Sequence, residues 1–187
     1  MHKLACFILS FAFILSLLPQ QAMAEGSGKT KEHLENAYFA AGCFWKTQYK
    51  FSKVPGVVRT EVGFTGGTVS NPSYEQVCTH TTGHAETCQV EFDPAKTTYR
   101  KLLDVFFRMH NPTTMDRQGP DIGTQYRSAI FYTTPEQQQE ATQYIKELED
   151  QHRFSGRIVT EVKPAGPFYA AEEYHQNYFE KHGEVCD

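Results

Sequence analysis

The feature that most restricts this chain is a repeated change of hydrophobic period between residues 37 and 182. Residues 37–41 are a short apolar run stopped by Gly42. In residues 43–51, Phe44, Gln48 and Phe51 fall at helical intervals, with Trp45 and Tyr49 beside them. Pro55-Gly56 then turns the chain into residues 57–64, where Val58, Thr60 and Val62 alternate with Arg59 and Glu61, a strand period. Residues 87–92 read as another strand closed by Asp93-Pro94, and residues 99–109 place Tyr99, Leu102, Leu103 and Phe106 on one helical face. Residues 128–132 are strand-like. Thr134-Pro135-Glu136-Gln137 supplies a cap, a Pro at the first helical position and a capping-box Gln for a helix with Ala141, Tyr144, Ile145 and Leu148 on one side. Residues 158–162 predict a last strand and residues 170–182 a last helix. Strands and helices in this alternation predict an α/β or α+β domain, with helices packed on a central mixed sheet. A ferredoxin-like two-layer sandwich is the expected version. Gly66-Gly67 with Asn71-Pro72, and the Pro- and Gly-containing residues 111–125, mark the long loops.

The segment before this pattern reads differently. Residues 4–18 are apolar except for Ser10 and Ser16, follow His2 and Lys3, and end at Pro19. As a helix the run would cover about 22 Å, short of a hydrocarbon core of about 30 Å. Ala22-Met23-Ala24 has the small-x-small form of a signal-peptidase site. The expectation is a cleaved signal peptide over residues 1–24, a flexible leader over 25–36 and one domain over 37–187. Export follows, to a periplasm or the outside, with no stable membrane insertion after cleavage. The chain has 187 residues and a formal net charge of -4. That length suits one domain with a sizeable core, and mild acidity argues against a nucleic-acid partner. A monomer is expected.

Few residues can do chemistry. In Gly42-Cys43-Phe44-Trp45 a Gly after a strand permits a tight turn, and Cys43 falls at the first turn of a helix. Free N–H groups and the helix dipole there would lower the thiol pKa. In Gly83-His84-Ala85-Glu86 the Glu at a strand mouth could be held protonated by desolvation and act as an acid. His84 with Asp121 could instead serve Cys43 as a thiol-hydrolase base. Cys78, His80, His84 and Cys88 are zinc ligands by type, but the spacing lacks a C-x2-C knuckle, and no metal is expected. A disulfide-stapled, non-enzymatic module is a third reading of the four cysteines left after cleavage, Cys43, Cys78, Cys88 and Cys186. The polar residues 121–128 run from a loop into a strand, a usual place for functional side chains.

Four ordered motifs then converge. Gly42-Cys43-Phe44-Trp45, Asn71-Pro72-Ser73-Tyr74 with Val77-Cys78, Thr82-Gly83-His84-Ala85-Glu86, and the run from Gln118 to Ser128 resemble the A-type peptide methionine sulfoxide reductases. Ala171-Glu172-Glu173-Tyr174-His175-Gln176 continues the likeness. The resemblance implies a ferredoxin-like fold and reduction of the S epimer of methionine sulfoxide, free or in proteins. It implies Cys43 as nucleophile, Glu86 as acid, Tyr74 and Tyr126 as donors to the sulfoxide oxygen, and Asp121 ordering the polar side. Phe44 and Trp45 would receive the substrate methyl group. Cys186 would resolve a Cys43 sulfenic acid as a disulfide, recycled by an external thioredoxin-like dithiol, with no bound cofactor. The chain departs from the family pattern in three places. Lys46-Thr47-Gln48 stands where Gly-x-Glu is common, so Gln48 receives no role. Phe64 replaces a usual Tyr, and Cys88 is extra.

Overall fold

The computed structural model describes residues 33–183. Eight strands, five helices and two short 3-10 turns are described there. They follow the order β1 (Glu35–Ala41), α1 (Phe44–Ser52), β2 (Val57–Thr65), α2 (Tyr74–Cys78), β3 (Ala85–Phe92), α3 (Tyr99–Met109), β4 (Arg117–Gln118), β5 (Asp121–Ile122), β6 (Ser128–Tyr132), α4 (Pro135–Asp150), β7 (Glu161–Pro164), β8 (Tyr169–Ala170) and α5 (Tyr178–His182). Six strands form one sheet in the order β7-β6-β1-β3-β2-β8, and β4 and β5 make a separate hairpin. β1 is antiparallel to both β3 and β6, and β2 is antiparallel to β3. These four strands with α1 and α3 are the split β-α-β pair that the alternation predicts. Through α4 the chain then adds β7, parallel to β6, at one edge. The sheet is therefore mixed, as expected.

Period-2 alternation assigns the faces. Ala37, Phe39 and Ala41 of β1 and Cys88, Val90 and Phe92 of β3 point into the main core, with Phe51 of α1 and Leu102, Leu103 and Phe106 of α3. Phe39 stacks on Phe51 with ring centroids 4.8 Å apart. By the same alternation Glu86, two residues before Cys88, lies on the helix-covered face of β3. A smaller cluster of Phe44, Val62, Phe64, Val77 and Ala171 packs beside it.

Local signals explain most helix starts. The Thr134 side chain accepts from Gln137 N at the start of α4, and Thr98 does the same from Lys101 N at α3. Ser73 and Gln76 close a full capping box on α2.

Four expectations need correction. Val58 is not on the buried face of β2: a bulge between Val57 and Arg59 leaves it exposed, because one extra residue breaks the alternation. β1 already begins at Glu35, inside the expected leader. The helix expected over 170–182 is not continuous. It is instead β8, a 3-10 turn at Glu173–His175, Asn177 at φ 53°, and the short α5. The cause is tertiary: Ala171 N donates to Val62 O (2.9 Å), and the Gln176 amide brackets Val62, accepting from its N–H (2.9 Å) and donating to its carbonyl (2.8 Å). This open edge of β2 captures the segment before a helix can run through it. The expected strand at 158–162 also shifts, its pairing with β6 running from Glu161 to Pro164. Among the described residues no helix is long and apolar enough to cross a membrane.

Candidate active site

The site forms where β1 ends and α1 begins. Gly42 makes the turn at φ +87°, and a Cβ there would meet Cβ of Gln118 at 2.6 Å. Only Gly fits both the backbone and the close approach. Cys43 is the N-cap of α1 and half-buried, with the backbone N–H groups of Trp45 and Lys46 against its sulfur. Those donors pull the thiol pKa down, as the sequence suggests. They are outweighed: burial first, and the charge of Glu86 second, push Cys43 up to about 12. The expectation of a depressed thiol pKa is thus corrected.

Glu86 is almost fully buried at the mouth of β3. Its Oε2 accepts from Phe44 N at 3.1 Å, one of the orphan donors of the first turn of α1. Burial raises its pKa to about 8, the Phe44 hydrogen bond opposes the shift, and the charge of Asp121 adds to it. At neutral pH the free site therefore holds both a thiol and an undissociated carboxylic acid.

The remaining expected residues converge on this pair from three other elements. Tyr74 opens α2, and its hydroxyl reaches the Cys78 thiol. Its phenol is held well above the usual range, by burial first. Tyr126 ends a 3-10 turn over Thr124–Tyr126 and is pushed up to about 12 by burial and then by the charges of Glu86 and Asp121. Asp121 sits in β5, opposite Gln118 of β4, near enough that its charge reaches Cys43, Glu86 and Tyr126. Gly123 makes room there: a Cβ would lie 2.3 Å from Gln125 Oε1, which is paired with His80 Nδ1 at 2.7 Å. Arg127 ties the loops beneath, donating to Gly83 O, Thr124 O and Glu161 Oε2.

Phe44 and Trp45 lie side by side, with ring centroids 6.4 Å apart. Phe44 is buried against Phe64, Tyr74 and His175, while half-buried Trp45 stacks on Tyr178 at 3.8 Å. Cys186 lies outside the described residues, as does the segment 1–24.

Two alternatives lose their footing. His84 Nδ1 accepts from Gly67 N (3.2 Å) and its Nε2 faces Val69 O (2.7 Å), so both ring nitrogens are committed to backbone and neither serves Cys43 as a base. Cys88 is sealed in the main core, apart from His80, and no group of three His, Cys, Asp or Glu among the described residues could hold a metal ion. Gln48, assigned no role from the sequence, turns out structural: buried, it donates to Thr60 O (3.2 Å) and accepts from Asn177 N (2.7 Å). A carboxylate there could not make the first of these bonds. Glu172 and His175 were also unassigned, though they lie in a run that matches the family. Glu172 Oε1 accepts from Tyr74 N (3.2 Å), and His175 Nδ1 accepts from Trp45 Nε1 (3.1 Å).

What the fold and the site define is a mixed α/β protein in which a half-buried thiol and a buried carboxylic acid meet at one strand-to-helix junction. Residues 35–186 match the family model for peptide methionine sulfoxide reductase. A protein of Methanoculleus marisnigri named peptide methionine sulfoxide reductase MsrA is 57% identical over 153 residues, which is 82% of this chain and 93% of that one. Among solved structures, reduced Mxr1 of Saccharomyces cerevisiae superposes with a TM-score of 0.77 at 36% identity, covering 82% of this chain and 88% of that one. Mxr1 in complex with Trx2 matches with a TM-score of 0.55 at 26% identity, over 78% and 84%. The chain belongs to the peptide methionine sulfoxide reductase family and is an oxidoreductase.

Proposed function

We propose that this protein reduces the S epimer of methionine sulfoxide, in proteins or free, through a sulfenic acid on Cys43. The observation that carries the reading is the buried, neutral Glu86 clamped by Phe44 N–H beside the Cys43 thiol. A sulfoxide oxygen is a poor leaving group until protonated. Glu86 gives its proton to that oxygen, Tyr74 and Tyr126 donate hydrogen bonds to it, and Cys43 sulfur attacks the substrate sulfur, forming an S–S bond as the S–O bond breaks. The departing oxygen then adds to Cys43 sulfur as hydroxide, and the S–S bond breaks to release the thioether. The thiol proton restores the acid. The balance is one thiol plus one sulfoxide giving one sulfenic acid plus one thioether. Because the free thiol is pushed up to about 12, attack and proton transfer must be concerted or follow substrate binding. The methyl group rests against Phe44 and Trp45, and Asp121 keeps the opposite side polar.

Cys186 then condenses with the sulfenic acid, releasing water and forming a disulfide. The Mxr1 complex with Trx2 supports a thioredoxin-like reductant as the recycling partner. Residues 1–24 support an exported enzyme, so the reductant would have to act in the same compartment.

The deciding experiment is turnover of each methionine sulfoxide epimer with dithiothreitol by wild type and Cys43→Ser. The S epimer should be consumed by wild type alone. Consumption by Cys43→Ser, or of the R epimer only, overturns the reading. Cys186→Ser should complete one turnover yet lose thioredoxin-supported recycling, measured as methionine formed per enzyme.

A further inference from the structure

The C-terminal turn places an unusual pair behind the Phe44 and Trp45 rings. His175 is buried, and its Nδ1 accepts the indole N–H of Trp45 at 3.1 Å. An indole only donates, so Nδ1 carries no proton, and in the neutral ring the proton sits on Nε2. That Nε2 has no hydrogen-bond partner and faces Glu172 Oε2 at 4.0 Å, itself buried and unpartnered. The other oxygen of Glu172 holds the backbone of Tyr74. The His175 ring lies against Phe44 (5.2 Å), Tyr74 (4.4 Å) and Tyr174 (4.1 Å). One short segment thus grips the residue opposite the substrate methyl group and the residue opposite the sulfoxide oxygen.

We infer that His175 is a positioning residue: as the obligate acceptor for Trp45 it fixes the indole plane of the methyl-binding wall, with Glu172 fixing Tyr74 in concert. Its consequence for catalysis rests on the function proposed above. The grip itself does not. Stacking on Tyr178 restrains the indole plane but leaves it free to slide, and the hydrogen bond to Nδ1 removes that freedom. Protonation of His175 would put hydrogen on Nδ1 and break the bond. The charged and titratable groups facing the ring are Glu172 of its own turn, Glu75 and Tyr74 of α2, and Tyr174. Burial keeps the ring neutral below the usual histidine range despite the two carboxylates.

Trp45 is the single tryptophan of the chain, so its emission reports the contact without any substrate. The experiment compares wild type, His175→Phe and His175→Asn, whose Oδ1 can take the place of Nδ1. His175→Phe should change the emission maximum and raise KM for methionine sulfoxide about tenfold with kcat within about twofold. His175→Asn should restore both. Wild type should show an acid transition in emission, below the usual histidine range, that is missing in His175→Asn, a readout that survives if the Phe variant fails to fold. Unchanged emission and KM in His175→Phe, or an acid transition persisting in His175→Asn, overturns the inference. Wild type without sulfoxide reductase activity would instead sink the proposed function while leaving the emission test in force.

Discussion

Two regions hold the same pocket by different physics. On one side, β1, α1 and β3 deliver Cys43 and Glu86 as consequences of regular structure: a strand end, a helix start and a period-2 face. Their positions are secured by buried apolar side chains such as Phe39, Phe51 and Phe106. On the other side, residues 169–182 carry little regular structure. They are fastened by polar side chains to backbone, Gln176 to Val62, Gln48 to Asn177 and Glu172 to Tyr74. Apolar burial is tolerant of small shifts in angle, whereas a hydrogen bond is not. The difference teaches that Cys43 and Glu86 are placed by the robust part of the fold, while the Trp45 indole and the backbone of Tyr74 are held by the directional part.

Breaking the robust side should cost most. Phe39→Ala, in the middle of the main core, should destabilise the protein by about 3–5 kcal/mol in denaturant unfolding. Glu86→Gln separates stability from chemistry on that same side. It should lower the rate of methionine formation in a single turnover by about 10²–10⁴, the usual weight of a positioned acid. Its stability should respond in the opposite sense. The folded-state pKa of Glu86 is raised to about 8, so wild-type stability tied to this group is fully present below the ordinary carboxylate range and is lost as pH rises through about 8. Relative to Glu86→Gln, wild type should weaken by up to about 1.4 kcal/mol per pH unit across that window, measured by urea unfolding at several pH values. A flat difference would mean that Glu86 is ionised in the folded protein.

The directional side should respond more gently in stability and more sharply in substrate binding. Gln176→Leu leaves the N–H and C=O of Val62 without their amide partner and should cost about 1–3 kcal/mol, with a raised KM. An unaltered KM would show that the walls do not depend on this segment. Smallest of all, breaking the exposed Lys53–Glu180 pair with Lys53→Ala should leave the melting temperature unchanged within error.

The legibility of the molecule in its sequence follows the same division. The capped start of α4, the apolar face of α3, the apolar run of β1 and the junction at Gly42-Cys43 could be read because each is a local pattern. The bulge at Val58, the broken helix at 170–182 and the commitment of His84 to Gly67 and Val69 could not, because each depends on a partner far away in the chain. The thiol shows the limit within a single residue. Its place at a helix start was legible, whereas the direction of its pKa shift was set by burial and by Glu86, 43 positions on.

By itself, then, the order of residues determined which segments become strands or helices, and which thiol and carboxyl stand at their ends, since hydrophobic period and capping act over a few neighbours. Tertiary structure alone decided that burial raises the pKa of both groups, and that a histidine near the chain end grips the tryptophan beside the thiol. Desolvation and hydrogen bonding between distant residues exist only after the chain has packed.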